Sequence, residues 1–110
     1  VSNLPTKIKK IKIDKNFGWC NDTRSKSYNK LIKFPFKYRA ERLYKRNNTY
    51  DIILVLDYNM KPILKNKGSA IFIHISKKNY KSTEGCIAIK KVSLKKIARK
   101  ISKNTIVKII

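Results

Sequence analysis

The chain predicts a mostly β, β-rich α+β fold, either a β-sandwich or a mixed sheet, with one clear helix near the C-terminus. Residues 50–58, YDIILVLDY, and 70–75, AIFIHI, are β-branched and aromatic runs bounded by turn formers. Only the stretch from Ser93 to Ile101 has helical periodicity. A hydrophobic content of 42% over 110 residues suits one modest core, so a single domain over 1–110 is expected. Val1 to Pro5 read as the middle of something longer, and N-terminal strands are expected to be missing from the chain.

Residues 7–13, KIKKIKI, alternate poorly and fit an edge strand or extended linker protected by lysines. Residues 16–30, rich in Asn, Asp, Ser and Gly, read as a loop anchored by aromatic residues, Trp19 among them. Pro35 removes a backbone donor from LIKFPFKY at 31–38, which makes this segment an edge or a turn. Arg39 to Arg46 fits a short helix or irregular segment. Residues 50–58 present Ile52, Leu54 and Leu56 on one face and Ile53 and Val55 on the other, the pattern of a central strand covered on both sides. A loop over 59–68 follows. The next central strand sets Ile71, Ile73 and Ile75 on one face, with Phe72 and His74 on the other. Residues 77–84 read as a polar turn, and a short strand begins at Cys86. Ser93 caps the helix, whose stripe is Leu94, Ile97, Ala98 and Ile101. TIVKII at 105–110 predicts a last strand.

With 28 Lys+Arg against 6 Asp+Glu, the net charge is +22, which attracts anionic polymers. The lysines are spread along the chain rather than gathered in one stripe, so the charge specifies no particular nucleic acid. No apolar run approaches the length of about 20 residues that spans a membrane. Two cysteines are too few for a disulfide framework. Cys20, His74 and Cys86 lack the close paired spacing of structural zinc sites.

The chemistry concentrates between Gly68 and Ile89. The only histidine, His74, ends an apolar run, and Cys86 follows directly on Gly85. A thiol attacks a carbonyl as thiolate, which requires a neighbouring base and backbone N–H groups for the oxyanion. His74 and Cys86 supply the first two parts, and Gly85 permits the tight turn that brings N–H groups close. Residue types alone also fit a buried core histidine and a small hydrophobic cysteine.

The run GSAIFIH, followed by STEGCIAI, resembles the signature of the L,D-transpeptidase catalytic domain (YkuD-type). GWCNDTRSKSYN, YRAERLY and YDIILVLDYN upstream are similar to one subgroup of that family. The resemblance implies an L,D-transpeptidase-like β-sandwich or mixed sheet, Cys86 as nucleophile, His74 as base, Gly85 at the oxyanion hole and Thr83 at the Ser/Thr motif position. It implies an acyl-enzyme formed on peptidoglycan stem peptides as donor and acceptor, ending in crosslinking or trimming. It further implies a periplasmic or extracytoplasmic location, covalent inhibition by carbapenem-type β-lactams, and no metal or organic cofactor. Glu84 and Ala88 stand where the family often has His and a polar residue, and the connection from His74 to Cys86 is shorter than usual.

Trp19 and Tyr28 are candidate cleft walls, and Arg39 and Arg42 candidate ligands for a stem-peptide carboxylate. Glu41 and Asp51, rare acids in a cationic chain, suit internal ion pairs. The alternative is a non-catalytic basic module that binds an anionic polymer, nucleic acid or wall polymer, through its charge and Tyr28, Tyr38 and Tyr44.

Overall fold

A computed structural model describes residues 4–76 and 85–109. The fold is β-rich with one helix, as the residue pattern predicts. Its strands are β1 (Phe17–Cys20), β2 (Leu31–Lys33), β3 (Ala40–Arg42), β4 (Ile53–Val55), β5 (Phe72–Ile75) and β6 (Ile87–Ile89), followed by helix α1 (Lys91–Lys100). They form two three-stranded sheets, ordered β2-β1-β3 and β4-β5-β6. The first is antiparallel throughout, whereas in the second β4 runs antiparallel and β6 parallel to β5.

The strand β5 is buried along its whole length, and its two faces meet different partners. Ile73 and Ile75 pack with Ile52 and Leu94, joined by Leu54, Ile87 and Ile89, so this face is aliphatic and covered by α1. Phe72, on the opposite face, packs with Trp19, Leu43 and Tyr50, joined by Phe17, Ile53 and Cys86. The β4-β5-β6 sheet thus lies between the helix and the first sheet. Alternation of side chains along β5 sorts these residues without further instruction.

One buried side chain joins the sheets through their loops. Asn29, 2% exposed, accepts from Trp19 Nε1 at 2.9 Å and from the Ala70 backbone N–H at 3.1 Å. Its amide nitrogen donates to the carbonyls of Tyr58 at 3.2 Å and Asn59 at 2.8 Å. Ser69 Oγ adds a bond to the Cys20 carbonyl at 2.7 Å. The entry to β5 is therefore fastened to β1 and to the turn after β4.

Several segments depart from their sequence reading. Residues 16–20, read as loop, contain the central strand of the first sheet. Gly18 is buried there because the Phe34 ring and Ile32 occupy the space its side chain would fill. Residues 39–46, read as a short helix or irregular segment, contribute the edge strand β3, since pairing with β1 outweighs a weak local helical preference. Among the described residues the apolar run at 50–58 pairs only with β5, so β4 is an edge rather than a central strand. Residues 4–14 contain no strand, which agrees with the linker reading. The helix starts at Lys91 after an N-cap at Lys90, so Ser93 is inside it and caps nothing. Residues 105–109 form no strand, and Ile106 and Ile109 are 86% and 82% exposed; β propensity finds no partner edge there. The expected turn at 77–84 lies outside the described residues.

Two outcomes are expected. Asn29→Ala leaves the Trp19 and Ala70 donors without their acceptor, and the urea midpoint is expected to fall by the equivalent of about 2–4 kcal/mol. Asp22 accepts from Arg24 Nε and Nη2 and from the backbone N–H groups of Arg24 and Arg39. The Arg24 side chain first, then these backbone donors, hold its carboxyl well below the usual carboxylate value. A depressed folded value means that this stabilisation is complete above the unfolded value of 3.8 and is lost as pH falls further. Thermal unfolding should therefore show a larger loss of stability on acidification below that value for the wild type than for Asp22→Asn.

Candidate active site

The parallel pairing of β5 with β6 places Ile73 opposite Ile87 and His74 opposite Ala88. Continuing that register by one residue sets Phe72 opposite Cys86. Phe72, His74, Cys86 and Ala88 consequently share the sheet face that looks toward β1. The strand expected to begin at Cys86 begins at Ile87, so the Gly-Cys cysteine stands just before β6, diagonal to the sole histidine on β5.

Cys86 is half-buried, and its thiol donates to the Ala70 carbonyl at 3.0 Å. Ala70 has a left-handed backbone, φ 59°, and its own N–H is the one held by Asn29. Burial, with a smaller contribution from the charge of Glu41, pushes the Cys86 thiol up, while a backbone hydrogen bond at Phe72 opposes the rise. The sulfur therefore rests as a thiol at neutral pH. Ionisation requires a base to take the proton as the nucleophile attacks.

His74 is buried at 7% exposure, with Nδ1 3.0 Å from the Ile75 carbonyl. A carbonyl oxygen only accepts, so Nδ1 carries the proton of this contact. In the neutral ring Nε2 then keeps its lone pair and is the nitrogen able to accept a proton.

Tyr50 and Glu41 complete the surroundings. Tyr50 is buried, and its ring meets the His74 ring edge-on at 5.5 Å and the Phe72 ring at 6.0 Å. The hydroxyl donates to both Glu41 oxygens, at 3.0 and 3.1 Å. Burial and then the charge of Glu41 push the Tyr50 hydroxyl far above its ordinary value, so it remains a donor. Glu41 is turned inward because it pairs with Trp19 across β1 and β3, on the face opposite Gly18 and Arg42. Sequence reasoning assigned neither Tyr50 nor Glu41 to the site. The available signal was scarcity, since Glu41 is one of 6 acids in the chain.

Gly85 adopts φ 84°, a conformation that L side chains rarely reach, and a Cβ there would stand 3.2 Å from Ile71 Cδ1. Glycine before the cysteine is thus a backbone requirement.

Among the other residues singled out by sequence, Trp19 lies in the same apolar cluster as Cys86 and meets Phe72 edge-on at 5.2 Å. Tyr28 is 5% exposed, so it is not an exposed aromatic for polymer binding; Tyr44, at 52%, is. Tyr38 is half-buried against Phe36. The Arg39 guanidinium binds Asn21 Oδ1 at 3.2 Å and the Asn21 carbonyl at 3.1 Å. That of Arg42 lies 4.2 Å from the centre of the Phe34 ring, on the outer face of the first sheet. The structure does not bring either arginine to Cys86. Cys20 is fully buried and turned to the Asp22 carbonyl at 3.8 Å rather than toward Cys86. Glu41 and Asp51 pair with Lys45 and Lys91, both at 3.4 Å. Thr83 and Glu84 lie outside the described residues. No group of three His, Cys, Asp or Glu side chains converges among the described residues.

Gly85→Ala is expected to lower stability by about 1–2 kcal/mol through its left-handed backbone, measurable as a shift of the urea midpoint.

The family of the L,D-transpeptidase catalytic domain (YkuD) matches residues 5–109. No curated protein and no solved structure matches the chain.

Proposed function

This chain belongs to the L,D-transpeptidase catalytic domain family, and from that premise we propose that it is a cysteine acyltransferase of peptidoglycan stem peptides. The observation that carries this reading is that Cys86, one residue before β6, packs in the cluster of Phe72 on the face of β5 that also carries His74.

The cycle uses one nucleophile and one base. His74 takes the Cys86 proton as sulfur attacks the carbonyl of the L-centre in the third residue of a tetrapeptide stem. A C–S bond forms, and the carbonyl electrons move to oxygen, where the backbone around Gly85 and Cys86 supplies N–H donors. Collapse breaks the C–N bond to the terminal D-alanine, whose nitrogen leaves with the proton from His74. An amine of a second stem, or water, then gives a proton to His74 and attacks the thioester. The products are a crosslink or a trimmed stem, and the proton returns to the cysteine sulfur. Thr83 occupies the Ser/Thr position of the motif. Trp19 belongs to the apolar cluster against which Cys86 packs and serves as a wall of the cleft.

The setting is extracytoplasmic, where the stem peptides are. A net charge of +22 favours residence on an anionic envelope, a long-range attraction that is screened by salt and adds no chemistry. No helix among the described residues is long and apolar enough to cross a membrane.

Incubation with a tetrapeptide stem, followed by mass spectrometry, tests the assignment. Wild type is expected to form the acyl-enzyme and release D-alanine, Cys86→Ala to form none, and His74→Ala to be slower by about 100-fold or more. A carbapenem is expected to add to Cys86 and to spare Cys20, which is 0% exposed. Undiminished D-alanine release by Cys86→Ala would show the reading to be wrong.

A further inference from the structure

A base serves a nucleophile only when its ring is held in one orientation, and the contact from Nδ1 to the Ile75 carbonyl is a single attachment. A swing of the imidazole out of its plane would carry Nδ1 away from that carbonyl. Tyr50 borders the ring, and its edge-on contact at 5.5 Å opposes such a swing on that side.

Tyr50 is itself fixed from three directions. Its ring packs against Phe72. Its hydroxyl is shared between both oxygens of Glu41. Lys45 closes the third side, with Nζ 4.5 Å from the ring centre and 3.4 Å from Glu41 Oε2. Glu41 is carried on β3, whose pairing with β1 faces it inward beside Trp19. The first sheet thereby reaches across to the histidine of the second.

We propose that Tyr50 is a positioning residue for His74, and that Glu41 is the anchor that keeps Tyr50 in place. The proposal rests on the reading of His74 as the base for Cys86. In this role Tyr50 acts through the orientation of the imidazole and Glu41 through Tyr50, apart from the small direct effect of the Glu41 charge on the Cys86 thiol. The carboxylate serves as a double acceptor for the phenol, a role that a glutamine oxygen retains and an alanine does not.

The single histidine makes the test direct. Long-range proton–nitrogen NMR spectra of the full chain, labelled at histidine, report the tautomer of His74 alone. Wild type is expected to show one neutral tautomer with the proton on Nδ1. Glu41→Gln is expected to keep it. Tyr50→Leu and Glu41→Ala are expected to give two exchanging tautomers, with kcat for D-alanine release reduced about tenfold or more and KM changed by less than about twofold. Trp19 fluorescence reports whether each variant is folded. If Tyr50→Leu does not fold, Glu41→Ala decides alone, since the Glu41 side chain is 31% exposed and its loss removes little packing. An unchanged single tautomer in folded Glu41→Ala and in any folded Tyr50→Leu overturns the proposal. The spectrum needs no substrate, so a tautomer that responds to these substitutions in a chain that releases no D-alanine upholds the positioning role and sinks the acyl transfer instead.

Discussion

The side-chain amide of Asn29 is the interaction on which the arrangement of the sheets depends. Neither sheet is large, and each consists of strands of three or four residues. Strand pairing alone specifies little at that length. Asn29 uses both ends of one buried amide to fix four partners in three segments: the indole of Trp19, the carbonyls of Tyr58 and Asn59, and the N–H of Ala70. Asn59 repeats the device locally by bonding to Leu64 and Gly68. Full satisfaction is what makes such a buried polar group favourable, and no buried side-chain polar atom among the described residues lacks a partner. The consequence extends to the chemistry, because the carbonyl of Ala70 receives the Cys86 thiol.

The two faces of β4-β5-β6 divide the work. The helix side is a layer of Ile and Leu against which Leu94 and Ala98 of α1 are wholly buried, and it contributes stability through area removed from water. The opposite side is aromatic, and it holds every polar group of the candidate site. Aromatic rings suit that side because Trp19, Tyr50 and Phe72 meet one another and His74 through their edges while remaining apolar in bulk. A cysteine in this setting is disfavoured as an anion. That makes the resting thiol a protected state, and it places the burden of activation on the histidine.

Legibility in the sequence followed the range of the interactions involved. The strand β5 and half of the stripe of α1 were readable from local alternation and helical spacing; Leu94 and Ala98 are buried as expected, whereas Ile97 is 37% exposed and Ile101 stands at the C-cap, beyond the helix. The shared face of His74 and Cys86 was within reach for the same reason, since β5 and β6 sit on either side of one connection. The strand β1 was hidden because Gly18 and Asn16 are turn formers by local preference; a ring from Phe34, well ahead in the chain, makes Gly18 a strand residue. β3 and the contact from Glu41 to Tyr50 depend on pairing between segments, which no single window contains. The last apolar stretch failed in the opposite sense. Residues 105–109 have the composition of a strand, but composition supplies no edge to pair with.

These ranges also explain why the nucleophile and base were found before their support. Cys86 and His74 belong to one sheet and one local connection, and their chemistry is carried by residue type. Glu41 belongs to the other sheet and acts on His74 only through Tyr50, which the apolar run at 50–58 absorbs as one more hydrophobic residue. A carboxylate that is one of few in a chain of net charge +22 has many exposed lysines to pair with at the surface. Its position facing inward, bonded to a phenol and to Lys45, is a specific placement enforced by β-sheet register rather than by charge. The edge strand β3 therefore does more than close the first sheet: it delivers an inward-facing acid to the ring that borders His74.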